Sequence, residues 1–390
     1  PVETCSPDEP STSPKWHASA RLMSAAFRSI GVDAAPAPDS SHETLELGAL
    51  YSSGEECLPH KITLGDFLRI TQAPGFEPHK TAFFMPRAPG PCRFGQYAPY
   101  LKQVLHERGL DDVLVFSPSS SDGYDGIGDD AAGELMHTAW MSIILGDLVQ
   151  RLQLRTRPYE TEVGAADAAF QAGIAQFAAT LELRGITPHE RLQRLVADVV
   201  AVRDRFRAVP ANYVEGRPLI GIVGEIFCRL NTFSNEDTAR RIEQLGGECW
   251  VSDISEWVWY TNWCRETDHL RDHGWLNTGF LKLKIKSHIQ HRYEQQLLAP
   301  VADDFVGYEE PHNFREVVQH GLPYLPATGA HGEMAVSVGR AIYLYHHGVD
   351  GVVDISPFTC MNGIVSEAVY PAVSHDHDDI PIRVQYFDKA

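Results

Sequence analysis

No stretch of the 390 residues approaches the about 20 consecutive apolar residues that a membrane helix requires, and no basic segment runs into an apolar one at the N-terminus. The chain therefore reads as soluble and cytoplasmic, with no membrane partner. Positive charge is scarce: 33 Lys and Arg face 52 Asp and Glu, for a formal charge of -19. That field repels phosphodiesters and argues against nucleic acid as a partner, while a small anion could still be held at a local basic site. C-x-x-C pairs are missing, which excludes zinc ribbons and bacterial ferredoxin motifs as local features. A G-x-x-x-x-G-K-[ST] phosphate loop is also missing, so the sequence cannot use ATP by that route.

Apolar residues make up 43% and charged residues 22%, a globular balance, and the length predicts more than one compact unit. The chain opens on Pro1, as a processed chain or a piece of a longer one would. Residues 1–14 (PVETCSPDEPSTSP) cannot build a core and read as a flexible leader. Beyond them, helical patterns alternate with short apolar runs bounded by turn residues, which predicts an α/β protein with parallel sheets. The runs TAFFM (81–85), VLVF (113–116), LIGIV (219–223), ECWV (248–251), GVVDI (351–355) and IRVQYF (382–387) are the strand candidates. The pattern divides the chain into a first α/β domain (15–130), a helical connector (131–210) and a second α/β domain (211–390). A helical insertion is expected near 264–320.

Cysteine is present seven times, an odd number at irregular spacing that fits a disulfide framework poorly. Loops beyond the carboxyl ends of parallel strands form the ligand crevice of open sheets. TAFFM runs into GPCRFGQY with Cys92, GVVDI into SPFTCMNG with Cys360, and LIGIV into GEIFCRLN with Cys228, while Cys57 in GEECLPHK precedes a helical pattern. Cys92 and Cys360 also precede helical patterns, whose free amides would favour thiolates and an anionic cluster. Any metal site must be assembled from distant loops. Cys5, Cys249 and Cys264 read as small core residues.

The segments GEECLPHKITLGDF, FFMPRAPGPCRFGQY, GEIFCRLNTFSNEDTARRIEQLGGECWVSDISEWVWYTN and DGVVDISPFTCMNGIVSEAV together resemble the 2-hydroxyacyl-CoA dehydratase and benzoyl-CoA reductase family. More narrowly, they resemble the dehydratase-like region of fused activase-dehydratase proteins and the related double-cubane cluster proteins. The resemblance runs from about residue 45 to the end. It implies tandem flavodoxin- or Rossmann-like domains with an iron-sulfur cluster between them, held by Cys57, Cys92 and Cys360. The cluster would be [4Fe-4S], or a double-cubane [8Fe-9S] at a homodimer interface. It further implies low-potential electron transfer and reduction of a small molecule or acyl-CoA, driven by an ATP-dependent activase on a separate chain or a missing part of the same polypeptide. Alternatives are a dehydratase-type radical lyase and an electron-storage or cluster-carrier module. Cys228 lies outside the matched cysteine set as a possible further ligand, and Asn362 stands where fused relatives tend to carry Pro.

Glu225, Glu256 and His331 lie near strand ends or helix starts and are candidates to relay protons, with Glu225 and His331 the preferred catalytic pair. Arg87 and Arg93 flank Cys92 and could offset negative charge. A Cys92–His331 nucleophile pair would instead make a hydrolase. The aromatics of SEWVWYTNW read chiefly as core, HDHDD (375–379) as a surface turn, and SDGYDGIGDD (121–130) as a solvated loop.

Overall fold

The computed structural model describes residues 18–87, 90–119, 129–213, 216–274, 278–311, 313–327 and 332–388. Cys5, His331 and nearly all of the 121–130 run lie outside them. The chain enters through α1 (Ala18–Ser29) and α2 (His42–Ala49), the latter capped by reciprocal Ser41 and Thr44 hydrogen bonds. α3 (Leu58–Gln72), β1 (Ala82–Phe84), α4 (Tyr97–Glu107) and β2 (Leu114–Phe116) follow, with β1 and β2 paired in parallel. The long polar-poor stretch then forms α5 (Asp129–Thr156), α6 (Ala165–Leu181) and α7 (Pro188–Arg207). α7 starts with Thr187 and Glu190 in a capping box around Pro188, each residue satisfying an amide the helix leaves open.

The second sheet is assembled from β3 (Leu219–Gly224), β4 (Glu248–Val251), β5 (Gly351–Pro357) and β6 (Ile382–Phe387). All four are parallel, in the order β4-β3-β5-β6. Between them run α8 (Ile226–Leu230), α9 (Thr238–Gln244), α10 (Ser255–His273), α11 (Thr278–Leu298), α12 (Arg315–Gly321), α13 (Met334–His346) and α14 (Met361–Asp376). Each strand expected from the sequence forms at its expected place, and the chain is mixed α/β with parallel sheets. The first sheet has only two strands among the described residues, and the N-terminal α1 packs on α5 and α6. The largest core cluster is helical, built from Leu22, Met141, Leu145, Phe177 and Leu195.

Two packing layers position the loops that matter. One face of the second sheet, through Leu219, Val223 and Val352, packs on Val338 and Leu344 of α13 and Tyr370 of α14. The other face, through Ile222, Val251 and Ile355, packs on Leu45, Leu58 and Ile62 of α2 and α3. That second contact locks the helix following Cys57 onto the sheet whose strands lead to Glu225 and Cys360.

Candidate metal centre

Three cysteines occupy the same local position: Cys57 is the N-cap of α3, Cys92 caps the short helical turn Arg93–Gln96 that runs into α4, and Cys360 is the N-cap of α14. Pro at the start of α3 and Gly363 inside the first turn of α14 let these starts form close to their neighbours. A Cβ on Gly363 would lie 2.6 Å from Ser356 of β5. The three loops are tied by one side chain, since Arg93 donates to the Glu55 carbonyl in the Cys57 loop and, at 3.4 Å, to Thr359 Oγ1 beside Cys360. Arg93 thus links all three cysteine loops.

Thr359 has φ 64, a left-handed conformation that costs a β-branched residue about 1–3 kcal/mol. Thr359→Gly is therefore expected to stabilise the metal-free chain by about 1 kcal/mol in urea unfolding. A decrease would show that the Arg93 contact outweighs the strain.

All three thiols are half-buried. Burial pushes Cys92 up to about 11 and Cys360 to about 12, and raises Cys57 as well. Amides of the helix starts act in the opposite direction: those of His60, of Phe94, and of Gly363 and Asn362 favour the respective thiolates. None of the sulfurs accepts a cap hydrogen bond of ordinary geometry. Cys57 Sγ lies 2.8 Å from Tyr97 Oη, and the neutral ring of buried His60 packs edge-on against Tyr97 and Tyr100 behind it.

Two carboxyl groups face the cysteines. β3 ends at Gly224, whose φ of 109 and 2.2 Å approach of a Cβ to the Ile355 carbonyl demand glycine, and the chain turns there to Glu225. Glu225 caps α8 by accepting from the amides of Phe227 (3.0 Å) and Cys228 (2.8 Å). Glu333, just before α13, accepts from the Ile226 amide at 3.0 Å and from Asn362 Nδ2 at 3.5 Å. Burial raises Glu225 and lifts Glu333 to about 8, with the Glu225 charge adding to the effect on Glu333. Both carboxyls act electrostatically on Cys92 and Cys360.

The folded chain holds the Glu333 proton more tightly than the unfolded chain, where the ordinary value of 4.5 applies. Stability tied to this group is thus complete below pH 4.5 and declines as pH rises through about 8. Glu333→Gln keeps an acceptor for the Ile226 amide and removes the titration. Its urea midpoint is expected to match that of the metal-free parent at pH 5 and exceed it at pH 9; equal midpoints at both values would refute the buried titration.

Of the residues singled out in the sequence, Cys57, Cys92, Cys360, Glu225 and Arg93 come together. Cys228 is fully buried in the sheet core with Ile222 and Ile355, and Cys249 and Cys264 are likewise buried. Arg87 pairs through its backbone with the β2 loop. Glu256 joins a buried ion network with Arg340 instead of the cysteine loops. HDHDD is a surface turn at the end of α14, where Asp378 and Asp379 take positive φ and His375 lies 3.7 Å from Asp379. Sequence reading missed Glu333, Tyr97 and His60. Tyr97 closes the GPCRFGQY motif and His60 follows Cys57 by three, the helical spacing that brings its amide to the sulfur.

Among the described residues, no three His, Cys, Asp or Glu side chains converge on one point as a single ion would require. The donor set is soft, three thiols with polar amides at their backs, which fits a thiophilic metal or an iron-sulfur cluster and not a hard cation. The chain matches no family model, no curated protein and no solved structure.

Proposed function

We propose that the chain holds an iron-sulfur cluster through Cys57, Cys92 and Cys360 and serves low-potential electron transfer to a small molecule or acyl-CoA. The observation that carries this reading is that three cysteines from three distant loops each stand at a helix start and that Arg93 ties those loops together. When bound, such a cluster supplies a strongly reducing electron. The tandem flavodoxin-like arrangement implied by the resemblance belongs to the same proposal, as do the [4Fe-4S] or double-cubane form, the ATP-dependent activase and the homodimer.

The chain's own residues would do the following. The three helix starts stabilise thiolate charge, and binding a metal displaces the thiol protons that burial otherwise retains. Tyr97 Oη donates to Cys57 Sγ, which draws charge from that thiolate. Arg93 offsets negative charge at the rim. Glu333 keeps its proton in the presence of added negative charge and can release it to a reduced ligand, while Glu225 holds the start of α8 beside it. Phe358 (56% exposed) and Ile364 (53% exposed) flank Cys360 and supply an apolar rim for a partner, whether activase or second copy.

A cysteine hydrolase is the less favoured reading, because a nucleophile needs a thiol with a lowered pKa and Cys92 is raised to about 11. The test is electron paramagnetic resonance on anaerobically prepared protein before and after dithionite. A new signal on reduction, altered in Tyr97→Phe, supports the reading; a protein silent in both states, whatever its iron content, removes the electron-transfer role.

A further inference from the structure

Below the cysteine loops, two clefts adjoin. The inner one, narrow and with room for about one water, lies at the carboxyl ends of β3 and β4 between α8, α10 and α13, walled by Arg229, Ser252, Asp253, Glu256, Glu333 and Arg340. The outer one reaches from Asp147 and Arg151 of α5 to Glu294 of α11 and Glu310, whose side chains are 16% and 17% exposed. Asp253 and Glu256 belong to the walls of both.

The inner cleft collects buried polar atoms that lack hydrogen-bond partners. Ser252 is 2% exposed and its hydroxyl has none; Arg229 Nε has none; Arg340 is fully buried and its Nη1 has none. Glu256 Oε1 forms an ion pair with Arg340 Nε at 2.9 Å without hydrogen-bond geometry, and its Oε2 has no hydrogen-bond partner. A protein interior pairs such groups with one another or with ordered water, and a polar cleft of this kind is where such water sits.

The charge count points the same way. The walls of the two clefts carry Asp147, Asp253, Glu256, Glu294, Glu310 and Glu333 against Arg151, Arg229 and Arg340. Six carboxyls face three guanidiniums, so several must be protonated for the interior to be near neutral. The groups facing Glu256 are Arg340 from α13, Glu310 from the 306–311 loop, Arg229 from α8 and Asp147 from α5. Asp147 is occupied by the amides of Ile254 and Ser255, and Glu310 by Trp250 and Arg340. Glu256 and Asp253 are left as the groups able to change state between the clefts.

We propose that the inner cleft holds ordered water and that the two clefts together form a proton conduit, running from the Glu294–Glu310 side through Asp253 and Glu256 to Glu333 beside the cysteines. A proton leaving Glu333 toward the cysteine loops is replaced from cleft water, which takes one from Glu256. A solvent proton entering the outer cleft restores Glu256, and the interior charge is unchanged over the cycle. What the protons are used for rests on the iron-sulfur reading; the conduit itself does not.

The experiment is infrared spectroscopy of the full chain at pH 6, following the carbonyl stretch of protonated carboxyl groups after transfer to D2O. In the parent protein these bands are expected to shift well before the core amides exchange. Ser252→Val, which replaces the hydroxyl that anchors cleft water, is expected to slow the shift about tenfold, the effect of one lost hydrogen bond. Glu256→Gln is expected to remove one band and slow the rest. Carboxyl exchange no faster than core amide exchange in the parent overturns the conduit, and so does a parent-like rate in either variant that retains native circular dichroism. The measurement needs no iron: fast exchange in a chain that binds no cluster would keep the conduit and remove the redox reading, while slow exchange in an iron-loaded chain would do the reverse.

Discussion

Cys92→Ser is expected to lose most of the iron bound by the anaerobically prepared parent, with Cys57→Ser and Cys360→Ser behaving alike and Cys228→Ser retaining it. A serine hydroxyl is a hard, weakly acidic ligand, and the neighbouring thiol of Cys228 is fully buried and so cannot replace a lost thiolate. Cys228 is the informative control. It sits near Cys360 electrostatically but is fully enclosed by the sheet core, and burial together with Glu225 holds its thiol protonated. Iron and sulfide analysis of the four variants is the check. Loss in Cys228→Ser with retention in Cys57→Ser would move the site inward by one loop and overturn the three-ligand assignment.

The largest effect on folding is expected at Arg340. Its guanidinium is fully buried, lies 2.9 Å from Glu256 and 2.7 Å from Glu310, and stacks near Trp250 and Tyr343. Replacing a buried ion pair by apolar groups on both sides can be nearly neutral, but removing one partner strands the other. Arg340→Met leaves Glu256 without its ion pair and Glu310 with only Arg151 at 3.8 Å, and is expected to cost about 3–5 kcal/mol in urea unfolding. Burial holds Glu256 near 7, and the Arg340 charge keeps it from rising further. In Arg340→Met the carboxyls lose that support and bind protons more tightly, so the deficit should shrink as pH falls from 8 toward 5 and these groups become neutral. A deficit independent of pH would mean that lost packing dominates.

The architecture was largely legible because strand and helix signals are local. Runs such as LIGIV and IRVQYF are apolar or β-branched between turn residues, and each became a strand in the expected place. The N-cap cysteines were legible for the same reason, since GPC and FTC directly precede helical patterns. What stayed hidden depends on contacts between distant segments. Nothing near α1 announces that it packs on α5 more than 100 residues away. Glu333 in HGEM looks like an ordinary polar residue at a helix start until α13 brings it to the Ile226 amide. Arg340 did carry a signal: it is alone among apolar residues in MAVSVGRAIYLYH, and a cation on a helix buried all round requires buried acids. Those acids, Glu256 and Glu310, lie 84 and 30 residues away, and only the fold pairs them.

The measurement that bears most directly on the central claim is iron and acid-labile sulfide content of the anaerobically purified and reconstituted parent chain. The expected result is iron and sulfide in similar amounts, roughly four of each per chain, bleached by air. A chain that stays free of iron after reconstitution, or that binds iron without sulfide, would contradict the assignment of Cys57, Cys92 and Cys360 as cluster ligands.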